Sequence, residues 1–493
     1  MEEKFIVALD QGTTSSRAIL VNGQGKIVDI RQREFPQIFP AKGWVEHDAE
    51  ELWRSQKAVL AELIQANQLK GHQILALGIT NQRETVVAWD SETGESLYNA
   101  IVWQDQRTSK RCVELKKGAL AEVVRTKTGL VIDSYFSATK MEWLLQNVAS
   151  VQSASDRGTL KFGTVDSWLI WKLSEGKCHC TEVSNASRTM LFDIHKQQWD
   201  LSLLETFGIN PNTLPEVKDS DSLFGHWEYE DCSIPIHGVL GDQQAALFGQ
   251  CCWTEGEVKN TYGTGCFMLM NTGEKAALSA HGLLTTIAWR RKGVTHYALE
   301  GSVLVAGAAI QWLRDSLKFF EEASQTESMA LNANDNELYF VPAFSGLGTP
   351  YWNNEARGGM IGITRDTGPK EIVRAALEAM GYRTAEVLEC MSLDAAIPIT
   401  RLKVDGGATA NNYLMQFQAD VAGVEVDRPK DIESTALGAA FMAGLAVGFF
   451  NEDDLQKFRT MDRNFSPKLA SEERSLMLSK WKEAVHRICA PKG

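Results

Sequence analysis

The sequence predicts an α/β protein in which one structural plan is duplicated to give two lobes around a cleft. Strand patterns alternate with amphipathic helices along the chain, and a glycine-threonine turn between two strands opens each half. The 493 residues are 44% hydrophobic, and this length corresponds to roughly two to four domains. The apolar fraction is therefore sufficient for a separate core in each lobe.

The first half begins with a predicted three-stranded meander and returns to strands after one helix. Its strand patterns lie at 4–10, 17–22, 26–33, 74–80 and 85–90. The helix begins after Asp48, the expected N-cap, with Glu51 as its capping-box partner. Its apolar face comprises Leu52, Val59, Leu60, Leu63 and Ile64.

The second half repeats this arrangement after residue 250. A tight Gly263-Thr264-Gly265 turn precedes apolar runs at 267–270, 283–289 and 296–299. A long helix from Pro369 and a strand at 402–404 follow. We therefore predict an N-terminal lobe of residues 1–250 and a C-terminal lobe of residues 251–493. The apolar window 437–450 is interrupted by glycines and is too short to cross a bilayer, which favours a buried, closely packed helix.

Charge and cysteine content limit the partners and the compartment. The chain carries 50 basic and 63 acidic residues, a formal charge of −13, which disfavours nucleic acid and anionic membranes but permits a small nucleotide held by backbone N–H groups. Nine cysteines without scaffold spacing indicate reduced thiols. The N-terminus lacks the apolar stretch of a signal peptide. We expect a cytoplasmic protein with no stable membrane insertion and no nucleic acid partner.

Three turns at strand ends have the chemistry of phosphate binding. In the hairpin from Asp10 to Arg17, Gly12 permits close backbone approach, three hydroxyls can donate (Thr13, Thr14 and Ser15), Arg17 supplies charge and Asp10 suits a hydrated Mg²⁺. Gly263-Thr264-Gly265 and Asp405-Gly406-Gly407-Ala408 offer two further backbone cradles. Ordinary polar turns are the alternative for each. Because neither a P-loop nor a GxGxxG fingerprint is present, a nucleotide would bind by another fold.

Candidate acid–base and substrate residues also follow predicted strands. Asp242 comes directly after Gly241 at the end of an apolar strand, where it suits either a catalytic base or the N-cap of the next helix. Arg83 and Glu84 can grip polyol hydroxyls, or they can form a surface ion pair. Trp103 and Tyr135 suit the wall of a small pocket or a core. Cys178-His179-Cys180 lacks the second matching pair that a zinc site needs.

Two segments give the chain its resemblance to a known family. YFSATKMEWLLQN at 135–147 fits one signature of the FGGY carbohydrate kinases, and GGMIGI at 358–363 followed by EIVRAALE at 371–378 fits the other. The sequence is similar to this family along nearly its whole length. The resemblance implies an actin-like, ribonuclease H-like ATPase fold with two lobes around a central cleft. It also implies phosphoryl transfer from ATP with Mg²⁺.

The resemblance assigns roles to individual residues. It implies a three-carbon acceptor, glycerol, with Asp242 as the base that takes a proton from its terminal hydroxyl and with Asp10 and Asp242 as candidate Mg²⁺ ligands. The implied acceptor contacts are Arg83, Glu84, Trp103, Tyr135, Asp242, Gln243 and Phe267. The implied phosphate and nucleotide contacts are Thr13, Thr14, Ser15, Arg17, Thr264, Gly265, Gly307, Gln311, Gly407 and Asn411.

Other outcomes remain open at this point. A kinase of the same family acting on a longer polyol or ketose, such as xylulose or gluconate, is one alternative, and an actin-like ATPase switch without an acceptor is another. The chain lacks the Gly-Gly-Lys loop and the Tyr-His-Phe segment through which some bacterial members respond to fructose 1,6-bisphosphate or to the sugar phosphotransferase system. We expect neither response. We also expect a homo-oligomer, a dimer or tetramer, and inhibition by alkylation of Cys266 beside the second turn.

Overall fold

The computed structural model describes residues 2–334, 337–344, 346–353 and 355–489. The first residue of the predicted N-terminal lobe and the last four of the C-terminal lobe lie outside these ranges. In the described ranges, no helix combines the length and the apolar character that crossing a membrane would require.

In its described residues, the first half contains fourteen strands and nine α-helices. Its strands are β1 (Phe5–Gln11), β2 (Ser15–Asn22), β3 (Ile27–Glu34), β4 (Glu46–His47), β5 (Ile74–Asn81), β6 (Val87–Asp90), β7 (Ala100–Ile101), β8 (Leu160–Gly163), β9 (Cys180–Glu182), β10 (Phe192–Asp193), β11 (Gln198–Trp199), β12 (Glu216–Lys218), β13 (Gly225–Tyr229) and β14 (Cys232–Gly241). Its helices are α1 (Ala49–Ala66), α2 (Ser109–Leu115), α3 (Leu120–Thr128), α4 (Ala138–Asn147), α5 (Ala149–Arg157), α6 (Val165–Leu173), α7 (Val183–Ala186), α8 (Leu201–Phe207) and α9 (Asp242–Gly249).

The described part of the second half adds nine strands and seven helices. The strands are β15 (Val258–Tyr262), β16 (Cys266–Asn271), β17 (Leu284–Arg291), β18 (Val294–Val303), β19 (Tyr339–Val341), β20 (Gly359–Ile361), β21 (Arg401–Asp405), β22 (Glu425–Pro429) and β23 (Met461–Phe465). The helices are α10 (Gly307–Asp315), α11 (Gln325–Leu331), α12 (Pro369–Ala395), α13 (Asn412–Ala422), α14 (Ser434–Ala446), α15 (Glu452–Phe458) and α16 (Ser471–Cys489).

The predicted meander is the start of a six-stranded N-terminal sheet, in the order β13-β14-β5-β1-β2-β3. β1 pairs antiparallel with β2, with Phe5 opposite Asn22, and β2 pairs antiparallel with β3. On its other side β1 pairs parallel with β5, which pairs parallel with β14. An antiparallel strand, β13, completes that edge.

The C-terminal sheet repeats this plan in seven strands, ordered β17-β18-β16-β15-β21-β22-β23. β15, β16 and β18 form the antiparallel meander, β15 pairs parallel with β21, and β21 with β22. β23 closes the edge antiparallel, as β13 does in the first sheet. The duplication that the turn and strand patterns predict is thus confirmed, with β17 as an additional strand.

Helices α9 and α14 form the layer between the two sheets. They share one apolar cluster with both sheets: Leu437 of α14 belongs to it, together with Ile6 of the N-terminal sheet and Leu269 of the C-terminal sheet. Their backbones come close at glycines: a Cβ on Gly438 would lie 1.9 Å from the Ala245 carbonyl oxygen. Helix α14 belongs to the second half of the chain yet packs on the N-terminal sheet. No single boundary in the sequence therefore separates the two sheets together with the helices that pack on them. The predicted buried helix within 437–450 is confirmed.

Helix α1 shows how local sequence sets an element boundary. Asp48 caps it, and its Oδ1 accepts from the backbone amides of Glu50 at 2.8 Å and Glu51 at 3.3 Å. The Glu51 carboxylate pairs with Arg54 at 3.1 Å rather than completing the predicted capping box. The predicted apolar face is buried against the N-terminal sheet, which holds the helix there.

Candidate active site

Three neighbouring strands of the N-terminal sheet deliver the predicted site residues to one edge. Gln11 at the end of β1 lies beside Asn81 at the end of β5, and Asn81 lies beside Gly241 at the end of β14. The strands are parallel, so their carboxyl ends meet at the same edge. The hairpin after β1, the Arg83-Glu84 pair and Asp242 therefore converge, although they are far apart in sequence.

Arg83 contacts four polar side chains at this edge: Glu84, Asp242, Gln244 and Glu300. Its Nη1 and Nη2 donate to the two carboxylate oxygens of Glu300 at 2.5 and 3.1 Å, and Nη1 also donates to Gln244 Oε1 at 3.2 Å. Its Nε lies 3.2 Å from Asp242 Oδ1 and 3.8 Å from Glu84 Oε1. Arg83 and Glu84 are buried, at 3% and 1% exposure, so the alternative of a surface ion pair is wrong.

A second buried arginine completes what we call the ion cluster: Arg83, Glu84, Arg188 and Glu300. Arg188 donates from Nε to Glu84 Oε1 at 2.7 Å and from Nη2 to Glu300 Oε1 at 2.8 Å. Burial acts to raise the pKa of Glu300, but the two guanidiniums outweigh it and lower that pKa. In Glu84 burial wins and the pKa is raised.

Three half-buried aromatic rings pack together, and one of them, Tyr135, faces Arg188 of the ion cluster. Trp103 meets Tyr135 edge-on at 5.5 Å between ring centroids and Phe267 at 6.0 Å. The Trp103 indole N–H donates to Thr13 Oγ1 at 2.9 Å, which ties this wall to the first hairpin. Phe267 comes from β16 of the C-terminal sheet, whereas Trp103 and Tyr135 belong to the first half of the chain, so both halves contribute to the wall. The arrangement is an apolar surface with polar edges, as a small-molecule pocket needs.

Asp242 is the first residue of α9, and Gly241 occupies the N-cap position. The alternative in which Asp242 caps the helix is therefore wrong. Its Oδ1 accepts from the Gln243 amide at 2.7 Å, and its side chain is 28% exposed, so a bound substrate can reach it. Next to it the Gln243 carbonyl oxygen Oε1 accepts from the buried ammonium of Lys259, which also donates to Thr261 at 2.9 Å.

The first hairpin combines hydroxyls with a carboxyl whose titration is shifted. The Gly12 amide donates to the Ser15 carbonyl at 3.0 Å, which closes a tight turn and leaves Thr13 and Thr14 at its tip. Burial raises the pKa of Asp10 to about 6; Arg17 opposes this shift, and the carboxylates of Glu433 and Asp242 add to it. Arg17 Nη1 lies 3.5 Å from Asp10 Oδ2 and also pairs with Glu433, which precedes α14.

The turns at 263–265 and 405–408 border one cavity of about 520 Å³, which we call the turn-lined cavity. Of the predicted contacts, Thr264, Gly307, Gln311, Gly407 and Asn411 line it, and Gly265 adjoins it in sequence. Helix α10 packs closely on the turn at 263–265 because it begins with glycine: a Cβ on Gly307 would lie 2.5 Å from the Gly263 carbonyl oxygen. Apolar side chains, including Ile310, Leu377 and Met380, form part of the walls.

The cysteines play a smaller part than the sequence suggested. All nine are free thiols. Cys266 is fully buried, and burial raises the pKa of its thiol, so the expectation that an alkylating reagent acts there is wrong. Within the part of the chain that the structure describes, no group of three or more His, Cys, Asp or Glu side chains could hold a metal ion, as a zinc site would.

Sequence reasoning missed three charged residues of this region: Arg188, Glu300 and Lys259. Glu300 and Lys259 lie in strands whose other residues are mainly apolar or uncharged, and both are fully buried. A charged residue is seldom buried unless it is paired. A lone charge within a predicted core strand was therefore the available signal, although it does not identify the partner.

The comparisons with known proteins agree with this architecture. Residues 5–249 match the N-terminal domain of the FGGY family of carbohydrate kinases, and residues 258–447 match its C-terminal domain. A glycerol kinase of Bacillus mycoides is 53% identical over 98% of both chains, and one of Caldanaerobacter subterraneus is 54% identical over the same shares.

Solved structures show the same two-lobe arrangement. A Plasmodium falciparum glycerol kinase with ADP superimposes with a TM-score of 0.91 at 37% identity and covers 99% of both chains. A xylulose kinase of Lactobacillus acidophilus, at 21% identity and a TM-score of 0.87, shares the fold. The duplicated actin-like fold is thereby confirmed. The chain belongs to the FGGY family of carbohydrate kinases.

Proposed function

We propose that the protein transfers the γ-phosphoryl group of ATP to glycerol and forms sn-glycerol 3-phosphate and ADP. The observation that carries the proposal is the position of Asp242: it lies 3.2 Å from Arg83, at the sheet edge that also holds the first hairpin and the aromatic wall. The relatives named above support glycerol as the acceptor, because they are glycerol kinases that match over nearly their whole length.

The acceptor site suits a small polyol. Arg83 offers donors and Glu84 offers acceptors, so together they can satisfy the hydroxyls of one carbon chain. Trp103, Tyr135 and Phe267 close around the apolar face of that chain, with Gln243 beside Asp242. The large rings of Trp103 and Phe267, which meet in this wall, favour a three-carbon acceptor over xylulose or gluconate.

Asp242 acts as the general base in this proposal. It accepts the proton of the terminal hydroxyl as that oxygen attacks the γ-phosphorus, and the bond from phosphorus to the ADP oxygen breaks in line. Positioning and charge stabilisation supply most of the acceleration in such transfers. The lobes close over the substrates to exclude water, which limits wasteful ATP hydrolysis.

The nucleotide occupies the turn-lined cavity, with its phosphates directed to the hairpins. Thr264 and Gly265 of the second hairpin and Thr13, Thr14, Ser15 and Arg17 of the first donate to the phosphate oxygens, and Gly307, Gln311, Gly407 and Asn411 hold the nucleoside. Asp10 and Asp242 would hold Mg²⁺, which neutralises phosphate charge when bound. Their carboxylates fit this task, because their proximity helps to raise the pKa of Asp10 and a cation would relieve the repulsion.

One experiment separates this function from its rivals. Purified protein with ATP and Mg²⁺ is given glycerol, dihydroxyacetone, xylulose, gluconate or no acceptor, and ADP release is followed. We expect turnover with glycerol to exceed that with any longer acceptor. Faster turnover with xylulose or gluconate would assign another substrate. A rate independent of acceptor would indicate an ATPase switch, for which Arg83, Glu84 and Asp242 would have no role.

Further properties belong to the same proposal. The N-terminal lobe, 1–250, binds the polyol and the phosphates and supplies the base, and the C-terminal lobe, 251–493, binds the nucleotide and adds Phe267 to the acceptor wall. The enzyme works in the cytoplasm as a dimer or tetramer, independently of nucleic acid. Because the stretch Phe224 to Asp231 is acidic, we expect no response to fructose 1,6-bisphosphate or to a phosphocarrier protein. A several-fold rate change with either would contradict this expectation.

A further inference from the structure

Glu300 connects the C-terminal sheet to the acceptor side of the site. It projects from β18 and is fully buried, and its partners Arg83 and Arg188 both belong to the first half of the chain. Its two carboxylate oxygens receive three N–H groups, two from Arg83 and one from Arg188. This carboxylate therefore joins the two sheets at the substrate edge.

The contact geometry determines the orientation of Arg83. A guanidinium is planar, and a carboxylate that takes both Nη atoms fixes that plane. Glu300 takes one N–H from each Nη atom of Arg83, and in this orientation Arg83 Nε lies 3.2 Å from Asp242 Oδ1 as an ion-pair contact. The position of Nε beside Asp242 thus depends on a residue that is itself fully buried.

Arg188 holds Glu300 in turn. It joins Glu300 to Glu84, and its guanidinium carbon lies 5.6 Å from the Tyr135 ring centroid and 5.3 Å from that of Phe136. The two arginines and two glutamates balance in charge, as buried ion groups require. The positively charged groups that act on Glu300 are Arg83, Arg188 and, at longer range, Lys259, and the carboxylate of Glu84 repels it.

We propose that Glu300 is a positioning residue for phosphoryl transfer: it orients Arg83 toward the base Asp242 and so makes the acceptor site depend on the C-terminal sheet. This inference rests on the proposed function. Glu300 acts through Arg83 and contacts no substrate. Its loss should therefore lower kcat, because a small misorientation near the reacting atoms is costly, and should leave the turn-lined cavity intact.

The test compares Glu300→Gln with Glu300→Asp. We expect Glu300→Gln to lower kcat with glycerol about 100-fold, a loss typical of misplacement by about 1 Å, while ATP affinity measured by calorimetry changes less than about twofold. Glu300→Asp restores the charge on a shorter side chain and should recover a substantial part of kcat. Crystal structures of wild type and Glu300→Gln, both without acceptor, should show that Arg83 Nε has turned away from Asp242 in the variant.

The control is Asp166→Asn, which neutralises another fully buried carboxyl, one held by Thr164 and Thr181 outside the ion cluster. It should leave kcat near that of the wild type even if the melting temperature falls. If Glu300→Gln does not fold, Arg188→Lys removes the fork that holds Glu300 and should lower kcat with unchanged ATP affinity.

Two results would overturn the inference. One is wild-type kcat in Glu300→Gln, and the other is an unmoved Arg83 in its crystal structure. The second readout needs no acceptor, so it stands whether or not glycerol is the substrate. A wild-type enzyme inactive on glycerol would instead refute the proposed function, and the two failures are therefore distinguishable.

Discussion

The acceptor side and the nucleotide side of this site are built from different materials. Around Arg83 the structure concentrates four buried charges, two of each sign, within an almost closed cluster. The turn-lined cavity is open by contrast, about 520 Å³ in volume, and its walls are mainly glycine backbone, hydroxyl, amide and apolar side chains. In the proposal, uncharged glycerol thus binds beside charged side chains, and polyanionic ATP binds mostly to neutral hydrogen-bond donors.

This contrast follows from the different net charges of the two proposed substrates. A polyol carries only weak dipoles, so buried charged partners are needed to orient it, and charge-assisted hydrogen bonds are about twice as strong as neutral ones. ATP carries its own charge, and backbone N–H groups at turns can receive it without adding charged side chains. The acceptor side is consequently the more preorganised, and substitutions there should affect kcat more than nucleotide affinity.

The largest effect should come from Asp242→Asn. Removing a general base typically costs about 10²–10⁴-fold in rate, and ATP should still bind because the turn-lined cavity is untouched. Coupled ADP assays give kcat, and calorimetry gives ATP affinity. Asp231→Asn, at the opposite end of β14 and exposed, is the matched control and should turn over normally. Near-normal turnover by Asp242→Asn would end the assignment of the base.

The reverse pattern should follow from Gly307→Ala. The added Cβ would lie 2.5 Å from the Gly263 carbonyl, so the second turn must shift and ATP affinity should fall about tenfold, or 1.4 kcal/mol. The KM for glycerol should change little, which steady-state kinetics would show. Gly118→Ala meets nothing within 4 Å and should leave both values unchanged. A loss confined to glycerol binding would remove the contrast between the two sides.

The aromatic wall should set acceptor length. Phe267→Ala removes one side of the wall around Trp103, so kcat/KM for glycerol should fall while that for xylulose holds or rises. We expect their ratio to change by about tenfold, the scale of discrimination that apolar contacts provide. Steady-state kinetics with the same panel of acceptors measures this ratio. Phe39→Ala is the control, because Phe39 is 68% exposed. An unchanged ratio would show that Phe267 does not limit substrate size.

The smallest effect concerns the stability contributed by Glu182, which is linked through Ser184 to the residue before Asp242. Glu182 accepts from Ser184, whose hydroxyl oxygen accepts the Gly241 amide at 3.0 Å, and burial raises the pKa of Glu182 from 4.5 to about 8. Between these values the unfolded state has released a proton that the folded state keeps. Stability from this group therefore falls as pH rises from 4.5 and levels above about 8.

Glu182→Gln has no proton to lose, which makes this effect measurable. The melting temperature of the variant relative to wild type should rise between pH 5 and pH 8, by a few degrees, in scanning calorimetry. A difference that is the same at both pH values would show that Glu182 does not carry this titration.

Local pattern was sufficient for much of the fold. The strand at 4–10, the hairpin from Asp10 to Arg17 and the helix after Asp48 were predicted within one or two residues, because alternation, capping and glycine turns act over short spans. The convergence of the hairpin with Asp242 was also foreseeable in outline, since parallel strands end at one edge. The roles of these residues remain a proposal.

Contacts between distant residues were not foreseeable in this way. Arg83 and Glu300 are separated by 217 residues and Arg188 and Glu300 by 112. No periodicity or spacing links such residues, because their pairing depends on how two sheets pack against each other. The burial of Cys266, which overturned its expected reactivity, depends on the same packing.

The sequence by itself determined the repeated pattern of strands, the glycine turns and the residue types available at strand ends, because short-range sterics and hydrogen bonding encode these features directly. Only the tertiary structure decided that α14 of the second half would pack on the first sheet and that Glu300 would orient Arg83. The physical reason is that a buried charge is costly unless it is paired, and these pairs form only once both halves have folded together.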